Sequence, residues 1–381
     1  MFVRIHSIIF NYLIIFNQNK YNLNIHDKVY LMSKNIKNKE NSELPFVSIC
    51  TPTFNRRPFI PYMIQCFEHQ LYPKNRMEWI ILDDGTDPIG ELVKDVPQVK
   101  YFYYKEKMVL GKKRNLMHKK CSGDIIIYMD DDDYYPPERV SHAVQTLMEN
   151  PSYLIAGCSE MYIYFDSKKK VYRCGPYKEY HSTAATFAFK KELLLETKYN
   201  EVDALAEERF FLKNYTLPLK QLDSLKSIIV FSHQHNSLNK EKLLDNLEQT
   251  KTVETDYDVN ELVVNPLLKQ FYTVDMNELL KNYEQGKPEY KPKLLEQMKK
   301  IEEERNKRIE DHKNMLESQQ KLLRSLQGTN NSSNIKEIES LKHHYEKQLA
   351  DKSYLINELL KKIKTLTIEL DEYRQGANKN K

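Results

Sequence analysis

The chain has 381 residues but only 9 glycines and a single tryptophan. It contains no G-x-G-x-x-G and no GxxxxGK[ST]. Both motifs use glycine to bring backbone N–H groups against phosphate, so their absence argues against Rossmann dinucleotide and P-loop chemistry. A G-x-S-x-G nucleophile elbow is also missing. Cys50, Cys66, Cys121, Cys158 and Cys174 are scattered without a CxxC. An odd, unspaced set of this kind suits reduced thiols in a cytoplasmic compartment. No apolar run is long enough to span a bilayer. Phe2–Phe16 is broken by Arg4, His6 and Asn11, and no small-residue cleavage site follows it. The net charge is +4, with lysines and acids interleaved, so no stripe exists for a nucleic acid.

Lysine, asparagine, isoleucine and tyrosine are plentiful instead, a bias that fits an AT-rich genome. With the lysine-rich tail it suits a large DNA virus or a protist, which would make the compartment host cytoplasm or a virion. Residues 1–44 read as disordered or as a mispredicted leader: with Met32 as a candidate start, 1–31 would be the leader, and 33–44 are polar and expected to be disordered. From Pro45 strands and helices alternate. Strands are expected at 47–50, 79–82, 101–104 and 125–129, with helices at 58–70, 112–120 and 138–149. This order predicts an α/β fold with a mainly parallel sheet covered on both faces. Shorter strands follow at 154–158, 161–165, 186–189 and 227–232, with helical stretches at 191–197 and 206–213. Residues 241–292 read as a helical extension. From 293 to 375 the composition turns to Lys, Glu, Leu and Gln, with a flexible break at 328–334. Before the break the heptad stripe (Leu294, Met298, Ile301, Met315, Leu322, Leu326) is interrupted by Arg305, Arg308, His312 and Gln319. From Ile338 it is cleaner. It predicts coiled-coil-like helices and a possible homodimer.

Four consecutive aspartates, Asp130 to Asp133, end the apolar run Ile125–Met129. Carboxylates crowded at the end of a buried strand repel one another unless something positive lies among them. A hard divalent cation, Mg²⁺ or Mn²⁺, meets that need with oxygen ligands. Three loops rich in functional groups (51–57, 83–87 and 130–133) directly follow strands, and in open α/β sheets ligands bind at the carboxyl ends of strands.

The motifs Val47–Arg56, Ile80–Asp87, Gly111–Asn115 and Ile126–Asp133 resemble, in order and spacing, those of the nucleotide-sugar-dependent glycosyltransferases of family 2, which have the Rossmann-like GT-A fold. The resemblance covers residues 45–237. It implies a metal-dependent, inverting transfer of a sugar from a nucleoside-diphosphate donor, UDP-linked by preference, to a hydroxyl on a glycan, a protein or a small molecule. By the family's DxD pattern, Asp132 binds the Mn²⁺ or Mg²⁺, Asp130 lies near the ribose and is counted with it at the metal, and Asp131 intervenes. Asp83 and Asp84 fall where a carboxylate reads the base. Thr51 and Pro52 would line the base pocket, and Arg114 would face the nucleotide, with Arg56 and Lys113 adding attraction for phosphate. The family's catalytic base is the Asp of a Glu-Asp pair. Here the pair is Glu207-Glu208, so Glu208 takes that place and Glu207 stays an alternative. His233 or His235 would complete the metal shell, His233 being favoured by its spacing to Asn236. Two other readings compete. One is a nucleotidyltransferase, which would want glycine in the loop 51–57. The other is a coiled-coil interaction protein carrying an inert domain.

Overall fold

The computed structural model describes residues 44–327 and, beyond them, His343 and Lys347. The leader, the break at 328–334 and the heptad stripe from Ile338 lie outside the described residues, those two apart.

The first four strands are β1 (Val47–Thr53), β2 (Met77–Asp83), β3 (Val99–Tyr103) and β4 (Ile125–Tyr128), separated by the helices α1 (Ile60–Glu68) and α2 (Leu110–His118) and by shorter turns. Strands rich in β-branched and apolar residues are buried on both faces, and β1, β2 and β4 behave so, whereas the edge strand β3 is half-exposed. Val47, Ile49, Trp79, Ile81, Ile125 and Ile127 enter one core, while Cys50, Ile80, Leu82, Ile126 and Tyr128 enter the other. Each large apolar side chain removed from water contributes about 1.5–3 kcal/mol. Trp79 stacks on Phe67 of α1 at 4.5 Å and anchors the first core.

Next come α3 (Arg139–Glu149), β5 (Ile155–Gly157), β6 (Met161–Phe165), β7 (Lys170–Cys174), β8 (Ala188–Lys190), the short α4 (Glu208–Phe211), β9 (Lys220–Gln221), β10 (Ile229–Ser232) and β11 (Thr252–Glu254). The main sheet runs β3-β2-β1-β4-β8-β5-β9. β3, β2, β1 and β4 are parallel, and β8 is antiparallel to β4 and β5. A second sheet, β10-β6-β7-β11, stands apart from the single sheet that simple alternation predicts. The five cysteines are buried thiols.

The stretch 241–292 is built mostly of helical pieces rather than one long helix. Asn246, Asp258 and Asn265 each accept backbone N–H groups just downstream. Such side chains start helices rather than continue them. The result is a set of short helical turns, one continuous helical run over 266–281, and β11 among them. Their aromatic face still packs on the domain: Phe271 stacks on Tyr62 at 3.6 Å and Tyr272 on Phe231 at 4.4 Å. The last described helix, α5 (Pro292–Gln327), has 36 residues. Leu294, placed on the heptad seam by the sequence, is instead buried, whereas Ile301 and Met315 are exposed. Among the described residues no helix is long and apolar enough to cross a membrane.

Candidate functional site

The chain runs β1, β2, β3 to one side of the sheet and then returns to place β4 on the other side of β1. The crevice at the carboxyl ends of β1 and β4 is therefore the topological switch point, where ligands of such sheets bind. Thr53 is in register with Asp83, and Asp83 with Tyr103, so the loops after these strands open at one level. A cavity of about 250 Å³ lies there, lined by Pro52, Arg56, Met108, Lys113, Arg114 and Asp130 to Asp132 among others.

The aspartates divide by partner. Arg56 bridges the crevice: its Nε lies 3.4 Å from Asp131 Oδ1 and its Nη2 3.2 Å from Asp132 Oδ2. Burial disfavours charge on Asp132, but Arg56 and then His233 hold its carboxyl well below the usual range. Burial pushes Asp131 up to about 6, against the pull of Arg56. Asp130 is raised by burial too, with Arg114 Nη2 3.6 Å away, and its Oδ1 accepts no hydrogen bond. Asp133 is pushed well up, again by burial first. Its carbonyl accepts from Tyr272 Oη at 2.8 Å. The loop is closed by Tyr135, whose hydroxyl accepts from the Asp130 N–H at 2.6 Å.

Two assignments from the sequence change. Thr51 does not line the cavity: it is fully buried, and its hydroxyl donates to the Met129 carbonyl and accepts from Trp79 Nε1. The β-branched hydroxyl is spent joining β1 to β2 and β4. Asp83 is likewise occupied, accepting from the N–H groups of Gly85 and Ile89 and from Tyr101 Oη. Asp84 is also committed, its fully buried side chain accepting from Lys113 Nζ at 2.5 Å and from the Met108 N–H at 2.7 Å, and it stands behind Lys113 rather than on the cavity wall.

His233 Nε2 lies 3.3 Å from Asp132 Oδ2, and burial lowers the imidazole to about 4, so it is neutral at pH 7. His235 is also buried and lowered to about 4, and neither ring nitrogen has a hydrogen-bond partner among the described residues. Only His233 reaches the aspartates. Glu207 and Glu208 also separate. Glu207 is buried and accepts from Arg114 Nε at 2.9 Å. Glu208 makes no ion pair among the described residues, and burial, with Glu207 alongside, lifts its carboxyl to about 7. The residue before the pair, Ala206, has φ 55°, a left-handed conformation costly for a residue with a β-carbon. Gly111 opens α2 against this same stretch, and a β-carbon there would meet the Asn200 carbonyl at 2.1 Å.

No motif in the sequence points to the strap of residues 283–297 over this site. Asn55 donates to the Gln285 carbonyl at 2.9 Å, and Tyr283 Oη donates to Asp87 at 2.7 Å. Gln297 accepts from the Ala204 N–H and donates to the Leu205 carbonyl. Lys291, Pro292 and Leu294 of the strap line the cavity. A glycine-poor, lysine-rich stretch carries no motif that would reveal this.

Residues 48–214 match the model of Glycosyl transferase family 2. No curated protein matches the chain. Among solved structures, S. aureus TarS 1-349 in complex with UDP-GlcNAc is 19% identical, with 49% of this chain and 58% of that chain covered and a TM-score of 0.39. This chain thus spans little more than half of that relative. The mannosyltransferase PcManGT from Pyrobaculum calidifontis, in complex with GDP-Man and Mn2+, is 16% identical, with 57% and 71% covered and a TM-score of 0.41. The segment 48–214, with its acid loop at the switch point of a mainly parallel sheet, is a glycosyltransferase domain of family 2.

Proposed function

We propose that the chain is a metal-dependent, inverting glycosyltransferase that moves a sugar from a nucleoside-diphosphate donor, UDP-linked by preference, to a hydroxyl acceptor. The observation that carries this reading is the Asp132–His233 pair, 3.3 Å apart beside the switch-point cavity. Asp132 and His233 would hold a divalent cation there. A carboxylate held ionised and an imidazole held neutral are the protonation states a metal requires. Among the described residues no three His, Cys, Asp or Glu side chains form a metal cluster. Two protein ligands accord with an ion whose shell is completed by donor phosphates and water. Such an ion, when bound, offsets the negative charge that develops on the departing diphosphate.

The chain's own groups supply the rest. Glu208 takes the proton of the acceptor hydroxyl as its oxygen bonds to the anomeric carbon and the bond from that carbon to the diphosphate breaks. A carboxyl held near 7 is poised for this task, whereas Glu207 is committed to Arg114. Arg114, stacked 4.3 Å over the Tyr128 ring, fixes both Glu207 and Asp130. Asp84 reads the base by exchanging Lys113 Nζ for it as the donor enters, whereas Asp83 is tied within its own loop and to Tyr101. The preference for UDP rests on that carboxylate as an acceptor for the uracil N3–H.

A thermal-shift series with nucleotide sugars, with and without Mn²⁺ or Mg²⁺, tests the reading. One nucleotide sugar should raise the melting temperature only with the metal, and Asp132→Ala should abolish the shift. No response to any nucleotide sugar would sink the proposal.

A further inference from the structure

The cavity is rimmed by carboxylates, yet a nucleoside diphosphate brings strong negative charge into it. Most cations in its wall are already committed. Lys113 is paired with Asp84, Arg114 with Glu207 and Asp130, and Arg56 with Asp131 and Asp132. Lys107 Nζ stands over the Phe54 ring, 3.2 Å from its centroid. Lys107 and Lys293 also line the cavity without a carboxylate partner among the described residues, but both are exposed, and Lys291 differs from them and from the paired cations. It is half-buried, lines the cavity, and donates to a neutral group, Ser237 Oγ, at 3.1 Å, with no carboxylate paired to it among the described residues. Burial and then Arg56 push its amine down to about 7, against the pull of Asp131 and Asp132, so an arriving anion would draw it into the charged form. A positive group drawn into a partly desolvated cleft beside other cations, and left without an anion, is placed to receive one.

The strap is fastened at both ends. Before Lys291 it is tied to the β1 and β2 loops through Asn55, Arg56 and Asp87. After it, Gln297 ties the strap to Ala204 and Leu205, just ahead of Glu207 and Glu208. The crossing is close. A β-carbon on Gly286 would meet His235 Nδ1 at 2.5 Å and the Asn55 carbonyl at 3.0 Å. Lys291 is thus held over the pocket rather than left on a free tail, although it lies beyond the segment that matches the family.

We propose that Lys291, carried by the strap after the glycosyltransferase domain, is a donor-binding residue whose ammonium contacts the diphosphate of the nucleotide sugar. The proposal rests on the donor-site reading above. On this account the strap is part of the active site, and Lys291 discriminates a diphosphate from a monophosphate.

The test is calorimetric titration of the full chain, with Mn²⁺ present, using UDP, GDP, ADP and CDP and the matching monophosphates. Wild type should bind one nucleoside diphosphate. Lys291→Ala should weaken that diphosphate roughly 10- to 100-fold, the range of one charge-assisted hydrogen bond, and leave the monophosphate within about 2-fold. Lys291→Arg should restore most of the affinity. Lys291→Met keeps the aliphatic stem and reads the same loss if the alanine variant folds poorly. Unchanged diphosphate affinity in both Lys291→Ala and Lys291→Met overturns the proposal and leaves the donor site standing. Equal losses for diphosphate and monophosphate also overturn it, showing a structural strap only. Absence of any nucleotide binding by wild type overturns the donor-site reading and this proposal with it.

Discussion

The two halves of the domain build their share of the site by different means. In β1 to β4 the sheet does the placing. Parallel strands in register end at one level, so Pro52, Arg56, Asp84 and the acid loop converge because the topology brings them together. From residue 204 onward no such frame exists. Glu207 and Glu208 follow a left-handed Ala206, His233 follows the short β10, and the strap hangs on single hydrogen bonds. Function in the first half is therefore tied to stability. In the second half the two are separable, because a side chain held by one or two bonds can be changed while the sheets stay packed.

That contrast can be broken by variants on each side. The largest effect belongs to the second half. Glu208→Gln should lower kcat by roughly 10²- to 10⁴-fold, as expected for loss of a general base, while donor affinity and melting temperature hold. Steady-state kinetics beside a thermal melt reads both. In the wild type, kcat/KM should fall as pH drops below about 7, because Glu208 must be ionised to accept the proton. A fall in melting temperature in step with kcat would erase the contrast.

In the first half, Asp132→Ala should cost about 10²- to 10³-fold in kcat, the scale of a lost electrostatic contact to developing charge. It should also remove the metal-dependent thermal shift. Trp79→Ala, away from the chemistry, should destabilise the fold by about 3–5 kcal/mol in chemical denaturation, the range for deleting a buried aromatic.

The smallest effect is at the opposite end of the sheet. Burial opposes charge on Glu78, but Lys100, Ser48 and Ser122 hold its carboxyl down to about 2. Its folded-state value is depressed, so its contribution is complete above the unfolded value near 4.5 and is lost as pH falls toward 2. Denaturation midpoints should therefore drop across that window in wild type and drop less in Glu78→Gln, with no change in donor affinity at neutral pH.

How much of this was legible in the sequence follows the same division. The four parallel strands, their helices and the acid loop could be placed because Ile125–Met129 and Trp79–Leu82 are unbroken apolar runs, and Val47–Cys50 one broken only by Ser48, that end in polar loops. Periodicity and turn chemistry act locally, and there they sufficed. Thr51 and Asp83 misled because a polar residue at a strand end looks the same whether it faces a ligand or fastens the sheet. Only the positions of Trp79 Nε1, Met129 and Tyr101 decide it. The second sheet and the strap were out of reach for another reason. β11 pairs with β7, and Gln285 meets Asn55, across long stretches of chain, and neither contact leaves a local pattern. Lys291 is one lysine among many until the cavity shows what lies beside it.

Arg56 has a consequence for ion selection. Its guanidinium already occupies the space between the β1 loop and the acid loop, touching Asp131 and Asp132 while donating to the carbonyls of His235 and Gly286. It is a tethered competitor, always present at the acid loop and never diluted. A bare cation reaching Asp132 must win against it, whereas one arriving with a diphosphate brings the anion that Arg56 can turn to. The pocket would then rank ions by the company they keep rather than by their own charge, and the acid loop would hold its shape between turnovers with nothing bound.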